Sequence, residues 1–340
     1  MFLAVISAPA ANGTDRGRSL AIRNVTVVDA TGAPPRPGQT AIIKEERVIA
    51  LGAAEAVEIP PDARVIDGAG KFLIPGLWDM HMHLSYVSES ALPLLIANGV
   101  TGVRDMGGDL EQIDRWREQI ESEVLLGPKI FRAGLVVDGP RAEEGQFRLT
   151  VKTSGEARDA VRSLQQRGVD LIKVYHFLSR DAYFALADEC KKAGIGFAGH
   201  IPNGVSPTEA SNAGQRTIEH TSVIIQSLSL TKKEAGKDAK QLTLETMDAL
   251  SGAEGEEIFY RFAENKTAHT PTLVVSRSFL LRSELAKQSD GRRRYVAAVT
   301  KKQWEKNNPV PENVSPERCA SGVRCSQKSS TSSARCGVPE

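Results

Sequence analysis

From Leu20 to Leu73 the apolar positions come in short alternating runs broken by turn residues. Ala21-Ile-Arg-Asn-Val-Thr-Val-Val-Asp alternates, and Thr31-Gly-Ala-Pro-Pro-Arg-Pro-Gly follows it. A period of two closed by Gly and Pro predicts a strand and then a turn. Gln39 to Leu51 predicts a hairpin turning at Lys44-Glu-Glu-Arg, and Arg64-Val-Ile-Asp-Gly-Ala-Gly-Lys predicts a further strand and turn. Short strands with no helix between them define a small β domain over residues 20–73.

After Phe72 the pattern becomes strand, loop, helix, repeated. Leu73-Ile-Pro-Gly-Leu-Trp-Asp-Met-His is a first strand, and Glu89 to Asn98 a helix stopped at Gly99. Val100-Thr-Gly-Val-Arg-Asp-Met and Lys129-Ile-Phe-Arg-Ala-Gly are a second and third strand, with amphipathic Leu110 to Val124 between them. Glu156 to Arg167 is a helix closed by Gly168, Asp170-Leu-Ile-Lys-Val-Tyr a fourth strand, and Arg180 to Ala193 a helix capped by Gly194. Ile195-Gly-Phe-Ala-Gly-His, Arg216-Thr-Ile-Glu-His and Thr267-Ala-His-Thr-Pro-Thr-Leu-Val-Val are strands five to seven.

Alternating βα units predict a parallel sheet wrapped by helices. Seven in series, with no G-x-G-x-x-G after any strand, favour a TIM-like (β/α)₈ barrel over residues 74–306 rather than a dinucleotide fold. No eighth strand is visible, so the barrel is expected to be incomplete. Residues 307–340, rich in Pro, Ser, Arg and Cys, are expected to form a disordered or out-of-frame tail.

Composition narrows the function classes. A formal net charge of +1 gives no global field to recruit nucleic acid or an anionic membrane. No apolar run reaches the ~18 residues of a membrane span. Cys190 stands alone in the body while Cys319, Cys325 and Cys336 crowd the tail, so no disulfide framework holds the body. Residues 1–19 admit two readings. Ala8-Pro9-Ala10 after a short apolar run fits a signal-peptide remnant, which implies a periplasmic or secreted protein; a frayed start implies a cytoplasmic one.

His81-Met-His83 falls where the first barrel strand ends. Residues two apart on a strand share a side, so both imidazoles face the barrel mouth, a pairing suited to a divalent metal. Lys173 interrupts the apolar strand Leu171-Ile-Lys-Val; a buried ammonium needs a counter-charge, a pKa shift or chemical conversion. His200 and His220 end strands five and six.

Leu73-Ile-Pro-Gly-Leu-Trp-Asp-Met-His-Met-His-Leu resembles the signature of the amidohydrolase superfamily, nearest its imidazolonepropionase-like and prolidase-like branch. Val100-Thr-Gly-Val-Arg-Asp, Leu171-Ile-Lys-Val-Tyr, Phe197-Ala-Gly-His and Thr217-Ile-Glu-His fall where that family's motifs fall. The resemblance implies a barrel with a small N-terminal β-sandwich-type domain completed by the C-terminus. It also implies two divalent metal ions, zinc by preference. His81 and His83 would bind the more buried ion, an N6-carboxylated Lys173 would bridge the pair, and His200 and His220 would hold the second.

The simpler readings are an ion pair for Lys173 and satisfied core positions for His200 and His220. His176 reads as a loop residue and His269 as a substrate-side candidate on strand seven. Asp79 and Glu219 adjoin ligands but alternate to the other face, which suits packing or support of the ligands.

A metal pair lowers the pKa of a bridging water enough to give hydroxide near neutral pH. The implied function is therefore hydrolysis of an amide bond, in a dipeptide or a cyclic amide, by a metal-bridging hydroxide. Ester or phosphotriester hydrolysis is the alternative electrophile class. The partners expected are a small-molecule or dipeptide substrate, with no nucleic acid and no membrane, and assembly into a homo-oligomer is left open. The family's proton-transferring aspartate on strand eight has no counterpart here, so no general base is assigned, and a truncated fragment of low activity is the competing expectation.

Overall fold

The computed structural model describes residues 18–45, 47–141, 145–231, 239–280, 291–298 and 300–302. The signal-peptide reading, the tail over 307–340 with its three cysteines, and the missing eighth strand concern residues outside these. The chain divides into two compact units.

The first unit runs to Asp79 and takes in Leu92–Gly102 and Leu126–Lys129. Its sheet is built from β1 (Leu20–Val27), β2 (Arg36–Lys44), β3 (Arg47–Ala53), β4 (Arg64–Asp67) and β5 (Phe72–Leu73), in the order β3-β2-β1-β4 with β5 also on β1. The hairpin read from the sequence is β2–β3, antiparallel with Lys44 opposite Arg47. In β1 the register slips between Ile22 and Val25, where Asn24 takes φ 58°, a left-handed conformation that Asn tolerates. Val25, Val27, Ala41 and Leu73 form the core of one face. Among the described residues this is a single sheet rather than the expected sandwich. Ile49 on β3, Val65 on β4 and Phe72 on β5 are exposed, Phe72 by 68%.

The remaining elements follow in chain order: β6 (Leu77–Met82), α1 (Ala91–Ala97), β7 (Val100–Asp105), α2 (Leu110–Glu121), β8 (Lys129–Arg132), β9 (Val136–Asp138), β10 (Arg148–Thr150), α3 (Ser154–Gln166), β11 (Ile172–Val174), α4 (Arg180–Ala193) and β12 (Phe197–Gly199). Then come α5 (Pro207–Asn212), β13 (Thr217–Glu219), α6 (Thr221–Thr231), α7 (Ala239–Leu250), α8 (Ala253–Glu264), β14 (Ala268–Thr270) and α9 (Leu273–Leu280). Six strands pair in the order β10-β9-β11-β12-β13-β14, every neighbouring pair parallel. Strands β6, β7 and β8 form another sheet in that order, and no closed ring is traced among the described residues.

Helices start where side-chain oxygens take up the free N–H groups of the first turn. Asp109 caps α2, Thr153 caps α3, Ser179 caps α4, and Ser206 with Glu209 forms a capping box on α5. Gly194 ends α4 in the left-handed conformation, as its sequence position implied. The inner faces of α3 (Ala157, Val161, Leu164) and α4 (Tyr183, Leu186, Cys190) pack on Ile172, Val174, Phe197 and Ile218 of the sheet. Cys190 is a buried free thiol inside that core. No helix among the described residues is long and apolar enough to cross a membrane.

Two stretches of the chain depart from the sequence reading. Short strands β9 and β10 follow the third strand and were not foreseen. The seventh strand stops at Thr270 and the run Leu273 to Leu280 is helical. Pro271 has no N–H to continue a ladder, and Thr272 turns the chain with φ 48°. The β-branched residues that suggested a longer strand lie beyond that break.

Candidate metal centre

The parallel register places Lys173 opposite Ala198, Ala198 opposite Thr217, and Thr217 opposite Ala268. Residues one to three positions further along these strands therefore share one end of the sheet. His200 follows β12, His220 follows β13 and His269 lies on β14. The rings of His81 and His83 lie 5.3 Å apart, His81 and His220 4.4 Å, and His200 and His220 4.8 Å between centroids.

Each of the four imidazoles is held at Nδ1 by a group outside the set. His81 Nδ1 is 2.7 Å from Glu219 Oε2, and His83 Nδ1 is 2.8 Å from the Gly107 carbonyl. His200 Nδ1 is 2.8 Å from His176 Nε2, and His220 Nδ1 is 2.6 Å from Thr272 Oγ1. A ring held at Nδ1 presents Nε2 as its ligating nitrogen, the arrangement by which supporting groups fix the tautomer of a metal-binding histidine.

Burial favours the neutral imidazole throughout. It brings His83 down to about 4 and His220 to about 3, and lowers His81 and His200 as well. Lys173 is fully enclosed, and its Nζ is a buried nitrogen with no hydrogen-bond partner. Desolvation lowers its pKa to about 7, with Glu219 opposing and Arg104 reinforcing the shift. Among the described residues the ion-pair reading of Lys173 is thus not realised as a contact.

Backbone geometry supplies part of the aim. His220 takes φ 65° and Thr272 φ 48°, both left-handed and both non-glycine, at the hydrogen bond that joins them. Such conformations cost of order 1–3 kcal/mol each and persist where surrounding structure fixes them. The His220 N–H donates to Thr270 O at 2.8 Å, which locks the turn. His269 is hydrogen-bonded to the His220 backbone, and burial brings its pKa to about 4.

Glu219 takes the ligand-supporting role read for it from the sequence, but from another position than expected. It does not turn to the opposite face: it is fully buried, takes the His81 hydrogen bond, and is 2.6 Å from Arg104 Nη2. Strand alternation does separate Glu219 from its neighbour, but His220 lies past the strand end, where its left-handed φ swings the ring back. Burial alone would raise the Glu219 pKa; the His81 hydrogen bond and the Arg104 and Lys173 charges outweigh it and bring it to about 2. His176 is in a loop, as read, but its ring packs 4.3 Å from His200 and makes the bond above. Asp79 is half-buried in the first unit.

Two functional residues escaped the sequence reading. Arg104 is buried and donates to Met80 O (2.7 Å), Thr217 Oγ1 (2.8 Å), Glu219 Oε1 (2.6 Å) and Thr270 Oγ1 (3.2 Å), joining β6, β13 and β14. A charged residue inside the apolar strand Val100-Thr-Gly-Val-Arg was the same signal that singled out Lys173. Asp105 accepts from Leu84 N and Gly107 N, and burial raises its pKa to about 6. It fixes the turn whose carbonyl holds His83.

Gly107 in that turn has φ 140°, and an added Cβ would meet Val136 Cγ2 at 2.4 Å. Gly107→Ala is expected to move this carbonyl away from His83 and weaken zinc binding by ~10-fold or more, the usual effect of losing a supporting partner. Zinc titration of the folded variant checks this; unchanged affinity would remove the turn from the site.

Among the described residues no three of His, Cys, Asp or Glu already stand in metal-holding geometry. The donor chemistry nevertheless fits a divalent metal pair. Four neutral nitrogen donors are held from behind, and an orphaned amine lies buried beside them.

The model of the amidohydrolase family matches residues 72–241, half of the chain. The chain belongs to the amidohydrolase family. A dihydroorotase of Thermus aquaticus is 31% identical over 154 residues, 44% of this chain and 33% of that protein. An imidazolonepropionase of Vibrio cholerae serotype O1 is 33% identical over 135 residues, 38% of this chain and 33% of that protein. The matches thus span about a third of the length of these curated relatives. A solved prolidase, complexed with N-methylphosphonate-L-proline, superposes with TM-score 0.63 at 20% identity, covering 94% of this chain and 76% of its own, and shares the fold.

Proposed function

We propose that this chain is a metal-dependent hydrolase of amide bonds, acting on a dipeptide or cyclic amide at the end of a (β/α)₈ barrel. The observation that carries this reading is the gathering of His81, His83, His200 and His220, each held at Nδ1, with the partnerless Lys173 amine. The barrel reading draws support from Arg104. From β7 of one sheet it reaches β13 and β14 of the other, as a residue inside a closed barrel would.

His81 and His83 would hold one divalent ion, zinc by preference, and His200 and His220 a second. When bound, such a pair supplies Lewis-acid polarisation of the carbonyl and a nucleophilic water at neutral pH. The chain's own residues do the rest. Glu219 accepts the Nδ1–H of His81 and keeps that ring in one tautomer; Gly107, His176 and Thr272 hold the other three. Burial brings the Lys173 pKa down to about 7, so near neutral pH a substantial share of the amine is unprotonated, the state in which it would attack CO₂, lose a proton and become a carbamate with two oxygens to share. His269, on strand seven and hydrogen-bonded to the His220 backbone, is the candidate for contact with substrate.

The test is metal content followed by turnover. Zinc added with bicarbonate is expected to bind at about two ions per chain, and the loaded protein to hydrolyse members of a dipeptide and cyclic-amide panel. His81→Ala is expected to abolish both the first ion and turnover. Absence of stoichiometric zinc, or turnover of aryl esters and phosphotriesters with no amide cleaved, would replace this reading.

A further inference from the structure

Tyr183 on α4 and Gln215, just before β13, form a buried polar pair that reaches the strand end carrying His200. Both residues are fully enclosed. The Tyr183 hydroxyl donates to Gln215 Oε1 at 2.8 Å. Gln215 Nε2 donates to the Gly199 carbonyl at 3.0 Å and the Thr217 carbonyl at 3.1 Å, with the His200 carbonyl at 3.5 Å. Only the NH₂ group of an amide can face carbonyl oxygens, so this one has a single orientation and its oxygen is left for the tyrosine. Burial pushes the Tyr183 hydroxyl far above its ordinary range, which keeps it a donor. The backbone of Gln215 is tied as well. Its N–H donates to Ala210 O at 3.2 Å, and its carbonyl accepts from Thr267 Oγ1 at 3.0 Å. A buried network engaged on every side specifies one arrangement.

What this amide holds is the joint from which His200 projects. Gly199 has φ 137°, and an added Cβ would lie 2.2 Å from Val174 O and 3.0 Å from Lys173 Cδ. That close approach demands glycine, and glycine makes the joint the least restrained in its strand. The peptide linking Gly199 to His200 is therefore fixed from outside. Its N–H donates to Val174 O at 3.0 Å, and its C=O accepts from Gln215. Those two bonds set the plane of the peptide, and with it the direction in which the His200 side chain leaves β12. His81 and His83 stand on and just after β6, in another sheet, so the same bonds do not aim them.

We propose that Gln215 is a positioning residue for His200: its amide, turned by Tyr183, fixes the Gly199–His200 peptide so that the imidazole faces the second metal position. This rests on the metal reading for what His200 binds, but not for how its ring is aimed. A merely structural role for the pair would lower stability and leave both metal positions alike.

The experiment follows zinc, added with bicarbonate, in competition titrations of the whole chain, together with the histidine ring resonances of the metal-free protein. His200→Ala first identifies the ion that His200 holds, by its loss. Gln215→Met keeps the length of the side chain and removes both donors. It is expected to weaken that ion by about 10-fold, the scale of losing an outer partner of a metal ligand, with the ion on His81 and His83 bound as before. The His200 ring resonances should move and those of His83 should not. Val161→Ala, a truncation on the inner face of α3 in the same core, is the control. It should lower the denaturant midpoint and leave both affinities unchanged. Tyr183→Phe frees the amide to turn and should weaken the same ion by a smaller factor; it decides the matter should Gln215→Met fail to fold. Unchanged affinity for that ion in the deciding variant, or equal weakening of the two ions, overturns the proposal. Zinc bound at neither position by wild type would overturn the metal reading alone. The His200 resonances would still report on Gln215, their movement upholding the aiming role and their constancy removing it.

Discussion

Replacing Lys173 by methionine is expected to stabilise the metal-free protein while abolishing zinc binding. The Lys173 amine is fully buried with no hydrogen-bond partner, and a buried cation in that state costs on the order of a few kcal/mol. Methionine fills a similar length of the β11 row between Val136 and Ala198 with nothing to desolvate. The effect should depend on pH. The Lys173 pKa is lowered from 10.5 to about 7, so between those values the unfolded chain binds a proton that the native chain does not. Wild-type metal-free stability should therefore rise with pH across that window and hold its full penalty below about 7. The methionine variant should lack that component of the slope. Denaturant midpoints of both proteins, taken after chelation over a pH series, measure it directly. A variant less stable than wild type throughout, or one that still takes up two zinc ions, would show that Lys173 is neither strained in the free protein nor used in the metal site.

The same residue shows why part of the site was legible beforehand. Lys173 stands inside an apolar strand, and His81-Met-His83, His200 and His220 end strands that a parallel sheet carries to one side. Strand period and strand order place such residues without knowledge of any contact. What could not be read depends on backbone turns. Alternation alone sends Glu219 away from His220. The left-handed φ of His220, just past the strand, returns the ring to the same cluster, so both residues serve it. His176 lies two residues beyond the regular part of β11, and only the loop path puts its Nε2 at 2.8 Å from His200. Arg104 carried a visible signal, a charge within an apolar strand, but its four acceptors come from three other strands and no local pattern announces them. The small β domain was legible for the opposite reason: its hairpin is local, and turn chemistry fixes its register.

Glu219 links stability and metal affinity, and its replacement by glutamine is expected to damage both. The carboxylate answers the buried Arg104 guanidinium at 2.6 Å and the His81 Nδ1 at 2.7 Å. Removing its charge leaves Arg104 buried without a counter-ion, a loss of about 3–5 kcal/mol in comparable buried pairs. It also releases His81 from its tautomer, and outer partners of metal ligands are worth about 10–100-fold in affinity. The two effects separate in a double replacement. Arg104→Met in the Glu219→Gln background takes away the unpaired cation, so much of the stability should return, less what is lost with the Arg104 bonds to Met80, Thr217 and Thr270. Zinc affinity should stay low, because His81 still lacks its carboxylate. Denaturant midpoints for the four species give the coupling energy, and competition titrations give the affinities. If Glu219→Gln alone is as stable as wild type, Arg104 is compensated by some other group. Should zinc affinity recover together with stability in the double variant, Glu219 would act by holding the strands and not by orienting His81.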